Sequence, residues 1–131
     1  MKVVFDTNIL ISAFLTTTGP SEHIMRHAFK KHTVIISTYI LHEFEKTLTH
    51  KLHVPAKLVN KAKDFLKRRA VFASAAKKSD IEFVDKKDIP ILNLVLVAKP
   101  HYFVTGDKRM LAMKKLGSTL FVSPREAMEI L

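Results

Sequence analysis

The sequence predicts a three-layer α/β fold with a mainly parallel sheet. Short, nearly continuous hydrophobic runs rich in β-branched and aromatic residues alternate with amphipathic helical patterns. Parallel neighbours need helical crossovers, so this alternation implies helices on both faces of the sheet. A length of 131 residues fits one domain, 1–131, around one core. No internal repeat, low-complexity tract or linker divides it.

Lys2 to Phe5 reads as the first strand and ends at Asp6, with a helix starting near Asn8. Thr33 to Ser37 is the second such run. Ile40, Leu41, Phe44, Leu48 and Leu52 recur at three- and four-residue spacing, which predicts an amphipathic helix from about 38 to 52, ending before Pro55. Leu58, Ala62, Phe65, Leu66 and Phe72 extend the pattern into a second helix. Its other face carries Lys57, Lys61, Lys63, Lys67, Arg68 and Arg69. Residues 73–88 are read as a loop with a short strand. Ile91 to Ala98 is apolar on all sides except at Asn93, the signature of a helix buried on most of its circumference. Tyr102 to Thr105 is a strand, Lys108 to Lys115 a helix, and Thr119 to Val122 a further strand. Ser123-Pro124-Arg125-Glu126 is a capping box with proline at the first helical position, and it opens a last helix from Pro124 to Leu131.

Composition narrows the function. With 47% hydrophobic and 26% charged residues the chain is globular, and no apolar run approaches the ~20 residues that cross a bilayer. Three apolar residues before Asp6 are too few for an export signal, so a cytoplasmic location is expected. The absence of cysteine excludes disulfides, thiolate metal sites and a cysteine nucleophile. Twenty-two Lys+Arg against 12 Asp+Glu give a net charge of +10, which makes nucleic acid a leading partner. Gly19, Gly106 and Gly117 form no phosphate-binding loop, and no serine sits in a nucleophile elbow.

In open parallel sheets, ligands bind beyond the carboxyl ends of the strands, where strand order reverses. Asp6 and Asp107 each follow a predicted strand directly. Each also has a structural reading, as the N-cap of the following helix, and so does Asp88 before Ile89-Pro90. Glu43 borders the apolar face of its helix beside Phe44, where a rim glutamate is the ordinary reading. Taken together, these acids form a hard-oxygen set suited to Mg²⁺ or Mn²⁺ rather than zinc. His42-Glu43 is no zinc-protease motif, because position 46 is Lys46. His23 and His27 stand one helical turn apart but have no further ligand nearby.

Val3-Val4-Phe5-Asp6-Thr7-Asn8, the stretch from Ser37 to Leu48, Asp85-Lys86-Lys87-Asp88-Ile89-Pro90-Ile91-Leu92 and Val104-Thr105-Gly106-Asp107 together resemble, in order, the motifs of stand-alone PIN-domain proteins. Many of these are toxins of toxin–antitoxin pairs. The resemblance implies a five-stranded parallel sheet between helices, an acidic quartet of Asp6, Glu43, Asp88 and Asp107, and polar support through hydrogen bonding from Asn8 and Thr105. It also implies phosphodiester cleavage of RNA, with a small antitoxin and a homodimer as partners. Two features depart from the pattern. Arg109 stands where many relatives carry another acid, and Asn93-Leu94 where small residues are usual. Asp85 is an alternative ligand to Asp88.

The mechanism implied is hydrolysis by a metal-activated water, without a covalent intermediate. Lys67, Arg68, Arg69, Lys108 and Arg109 are the candidate RNA contacts. One rival is a PIN-like module that binds RNA or protein without turnover. Another is a phosphohydrolase using Asp6 as nucleophile, but that chemistry wants an aspartate two residues on, where this chain has Asn8.

Overall fold

A computed structural model describes residues 1–74, 83 and 85–131. The sheet is built from β1 (Lys2–Phe5), β2 (Thr33–Ile36), β3 (Val71–Phe72), β4 (Tyr102–Val104), β5 (Lys115–Leu116) and β6 (Thr119–Val122). Its order is β3-β2-β1-β4-β6-β5. All pairings are parallel except β5 with β6. The parallel part is the expected five-stranded sheet. The sixth strand is a two-residue antiparallel edge, joined to β6 by a tight turn in which Gly117 takes φ 59°, a conformation favouring glycine.

The helices are α1 (Thr7–Leu15), α2 (Pro20–Lys31), α3 (Thr38–Lys46), α4 (Ala56–Arg69), α5 (Ile89–Ala98), α6 (Lys108–Met113) and α7 (Pro124–Ile130). The hydrophobic residues of β1, β2 and β4 are buried because helices cover both faces of the sheet, and Phe103 in β4 stacks obliquely on Phe121 in β6 with centroids 4.9 Å apart. Phe14, Phe44, Phe65 and Phe29 form a second aromatic chain that joins α1, α3, α4 and α2. None of the described helices is long and apolar enough to cross a membrane.

Several boundaries differ from the sequence reading. The expected helix over 38–52 is α-helical only to Lys46; a π-helical turn, Thr47–Lys51, follows, and Leu52 is exposed. In α4 the core is reached by Val59, Ala62 and Leu66, while Leu58 stays exposed. The chain turns extended at Ala70, so Phe72 belongs not to that helix but to β3, paired with Ile36. The helix after Asp107 stops at Met113 because Lys114 adopts φ 63°. Of the region read as loop and short strand, residues 75–82 and 84 lie outside the described residues. Its end is a 3-10 turn, Lys86–Asp88, leading into α5. The capping box of α7 is present, with Ser123 and Glu126 exchanging both hydrogen bonds at 3.1 Å.

Strand order steps from β1 to β2 on one side and to β4 on the other, so the topological switch point lies between β1 and β4. Asp6 and Asp107 follow the carboxyl ends of those two strands.

Candidate active site

Asp6 leaves β1 with its N–H donating to the Val104 carbonyl at 2.9 Å, which fastens it to the end of β4. It is buried, 7% exposed, and burial raises its pKa above the ordinary carboxylate value. The side chain makes no N-cap hydrogen bond to α1; the adjacent Thr7 N–H and the Thr105 hydroxyl favour its charged form and only partly offset burial. The Thr105 hydroxyl donates to Asp6 Oδ2 at 2.7 Å and accepts the Asp107 N–H at 3.1 Å. One fully buried threonine therefore ties both strand-end acids together.

Asp107 does cap its helix: Oδ1 accepts the Arg109 N–H at 2.8 Å. Oδ2 lies 3.5 Å from the Arg109 guanidinium, which also lies 3.9 Å from Asp85 and over the Phe83 ring. Asp88 occupies the N-cap position of α5 without making a capping hydrogen bond. Its pKa is pushed up to about 6, first by burial and then by the negative charges of Asp6, Asp85 and Asp107, with Arg109 opposing. Asp85 is the residue that caps here, accepting the Lys87 N–H at 3.0 Å. Of these two acids only Asp85 makes a capping hydrogen bond, and both line the cleft described below.

Glu43 reaches the same region from α3. Tyr39, one turn earlier, donates its hydroxyl to Glu43 Oε1 at 2.7 Å and lies 2.8 Å from the Lys87 carbonyl. It links α3 to the turn that delivers Asp88. Burial, and then Glu43, raise the pKa of this phenol.

Asp6, Glu43, Asp85 and Asp88 line a cleft of about 750 Å³ together with Thr7, Asn8 and Ile91. Asp107 is not on the cleft wall, but its charge raises the pKa of both Asp6 and Asp88. Asn8 is exposed on the cleft wall, and its side chain makes no hydrogen bond among the described residues, in contrast to Thr105. The Thr7 hydroxyl is buried and likewise without a partner there.

Among the described residues, no three histidines or carboxylates converge tightly enough to cage an ion. The described residues therefore build no all-protein cage of the kind calcium or zinc sites use. The donor set does fit Mg²⁺ or Mn²⁺, since such ions keep several waters and take one or two carboxylates plus substrate phosphate. The crowding of Asp88 by like charges marks where a cation would relieve repulsion.

The basic residues fall differently from the sequence reading. Lys67, Arg68 and Arg69 are exposed on the last turn of α4 and do not line the cleft; Arg68 bonds to Asp64 of its own helix, and Arg69 lies over Phe65. Lys108 is exposed at the start of α6, also off the cleft wall. Arg109 is half exposed and lies beside Asp107 and Asp85. Lys46, His50, Lys51 and Lys87, which the sequence reading did not single out, do line the cleft. Tyr39 was missed as well, although its spacing of four from Glu43 places the two on one helical face. His27 is engaged elsewhere, its Nε2 lying 2.8 Å from the Leu131 backbone oxygen.

The PIN domain family, a superfamily of nucleases, matches residues 2–109. Among curated proteins none matches the sequence significantly. A chain of the VapBC2 crystal structure from Rickettsia felis, bound to a DNA fragment from their promoter, superposes with a TM-score of 0.69 at 14% identity, over 94% of this chain and 98% of that one. At that identity the likeness speaks for the fold, and it extends past the family match to nearly the whole chain. With the family match covering most of the sequence and all four acids, the chain belongs to the PIN domain family.

Proposed function

We propose that this protein is a divalent-metal-dependent endoribonuclease, the toxin of a toxin–antitoxin pair acting in the cytoplasm. The observation that carries this reading is the gathering of acids from separate elements at the switch point, with Asp6 and Asp88 at cap positions yet free of capping bonds. A structural acid would use its oxygens on the helix N-terminus.

Of Asp6, Glu43, Asp88 and Asp107, one or two would hold Mg²⁺ or Mn²⁺ directly and the others through its waters; the ion when bound supplies an acidified water and charge neutralisation at the scissile phosphate. Thr105 fixes the Asp6 carboxylate and the backbone of Asp107. Tyr39 orients Glu43. Water adds to phosphorus, the P–O bond to the leaving oxygen breaks, and that oxygen takes up a proton. No side chain of the cleft becomes covalently attached.

Purified protein should cut single-stranded or loop RNA with Mn²⁺ or Mg²⁺, stop in EDTA, and leave DNA of the same sequence uncut. Asp6→Asn and Asp107→Asn should each abolish cleavage while remaining folded. Undiminished cleavage by both would remove them from the mechanism.

The competing reading, a PIN-like module that binds without turnover, draws on Arg109, whose guanidinium faces Asp107. Absence of any cleavage together with retained RNA binding would favour it. For partners, we propose a small antitoxin and a homodimer. In support, Phe14, Leu15, Leu48, Val54, Leu58 and Phe65 line an apolar groove of about 330 Å³ in which Leu15 and Leu58 are more than half exposed. Light scattering showing only monomer at high concentration would refute the dimer.

A further inference from the structure

The cleft has a second chemistry besides its acids. Lys46, His50 and Lys51 line it from one stretch of chain, all three exposed, and neither lysine forms an ion pair among the described residues. They follow Glu43 at spacings of three, seven and eight.

The backbone explains how they come to face one way. Continued as an α-helix at about 100° per residue, the chain would aim Lys51 roughly 80° from Glu43, within about 20° of Phe44. Phe44 is fully buried, so that direction is the core. The helix widens instead: the Leu52 N–H donates to the Thr47 carbonyl, five residues back, at 3.0 Å. A wider turn advances each residue by a smaller angle, and over Thr47–Lys51 the lag comes to roughly 60–80°. Lys51 is thereby swung from the core side into line with Glu43, while Leu48 stays buried. A π-turn replaces good α-helical geometry with poorer, and here its product is a cation on the cleft wall.

We propose that this π-turn track, Lys46, His50 and Lys51, binds the backbone phosphates of single-stranded RNA flanking the phosphate to be cut. The assignment rests on the ribonuclease reading for what happens at the Glu43 end, but its binding half stands by itself. From Glu43 to Lys51 the track is about 12 Å long at α-helical rise. At about 3.4 Å per nucleotide of a stacked strand, that spans about three phosphates. The basic run Lys67, Arg68 and Arg69 lies off this path and takes no part.

The test is the salt dependence of binding of a fluorescent oligouridine in EDTA, where cleavage is blocked. Each phosphate contact on a single strand contributes about 0.7 to the slope of log K against log salt. Lys46→Gln/Lys51→Gln should therefore flatten the slope by about 1.4, and in the metal-loaded enzyme raise KM with little change in kcat. Lys46→Arg/Lys51→Arg should keep the slope, and Lys67→Gln/Arg68→Gln/Arg69→Gln should leave it at the wild-type value. An unchanged slope in the first variant, with an unchanged melting temperature showing it folded, overturns the track. Tighter binding of duplex RNA than of oligouridine overturns the single-strand assignment. A wild type that binds oligouridine through the track but cuts no RNA with any metal sinks the ribonuclease reading while leaving the track intact.

Discussion

Replacing Asp88 with asparagine separates a metal ligand from a helix cap, because asparagine caps nearly as well as aspartate but ligates a cation poorly. Asp88 makes no capping hydrogen bond to begin with, so the substitution takes no such bond from α5. Its pKa of about 6 stands some two units above the value of 3.8 expected in an unfolded chain. A carboxyl whose folded pKa is raised favours folding fully below about pH 4, and that contribution is lost as pH rises through about 6. Two units correspond to about 3 kcal/mol at most, and because Asp88 is partly exposed, solvent screening brings this nearer ~1 kcal/mol. Without metal at pH 7, Asp88→Asn should accordingly be the more stable protein by ~1 kcal/mol, a melting temperature about 3–5 °C higher. At pH 4 the two should melt together. Metal at 100 times its dissociation constant adds about 2.7 kcal/mol to the wild type, roughly 10 °C, provided it binds only the folded state. The variant should lose most of that rise. Thermal melts of both proteins at pH 4 and pH 7, in EDTA and in millimolar Mn²⁺, give every number needed. A full metal-induced rise in Asp88→Asn would refute its role as a ligand, and an apo stability unchanged between the proteins at pH 7 would refute the repulsion.

Thr105→Val keeps the shape of a fully buried residue but removes both of its hydrogen bonds to the acids, so it should cost about 1–3 kcal/mol by denaturant titration and weaken metal affinity by about 10–100-fold; Thr105→Ser should restore most of both. Tyr39→Phe should lower metal affinity by about tenfold by calorimetry with a stability loss of about 1 kcal/mol, since it frees Glu43 and uncouples α3 from the Lys87 carbonyl. An unchanged affinity would make Tyr39 purely structural. Arg109→Gln removes the cation that opposes the rise in the Asp88 pKa, so that pKa should climb above about 6 and apo stability should fall more steeply between pH 5 and 7; a shallower fall would contradict the ion-pair geometry.

The strand-end acids were legible in the sequence for a physical reason. A parallel strand buried on both faces must be nearly continuously hydrophobic, so a charge ending such a run, as Asp6 and Asp107 do, stands out at the position where the fold places ligands. Thr105 came from the family resemblance. Glu43 was not distinguishable from a rim glutamate by periodicity alone and needed the family resemblance. Between Asp85 and Asp88 the sequence offered two candidates; both line the cleft, and only Asp85 makes a capping hydrogen bond.

What the sequence by itself determined, then, is the layer architecture, the parallel sheet and the acids at its strand ends, because burial periodicity and strand termini are properties of short segments. The extent of α4 was misjudged because amphipathic spacing runs through Ala70 without marking where the backbone turns extended toward β2. The basic side of the cleft was invisible for a related reason: a pattern shows that Lys46, His50 and Lys51 avoid the core, but not which solvent-facing side another element approaches. Only the tertiary structure decided that Tyr39 lies against the Lys87 carbonyl, that Arg109 lies beside Asp107 and Asp85, and that a π-turn redirects Lys51. Each of these depends on the spatial meeting of segments far apart in the chain or on which carbonyl an N–H selects, and neither is written in the spacing of apolar residues.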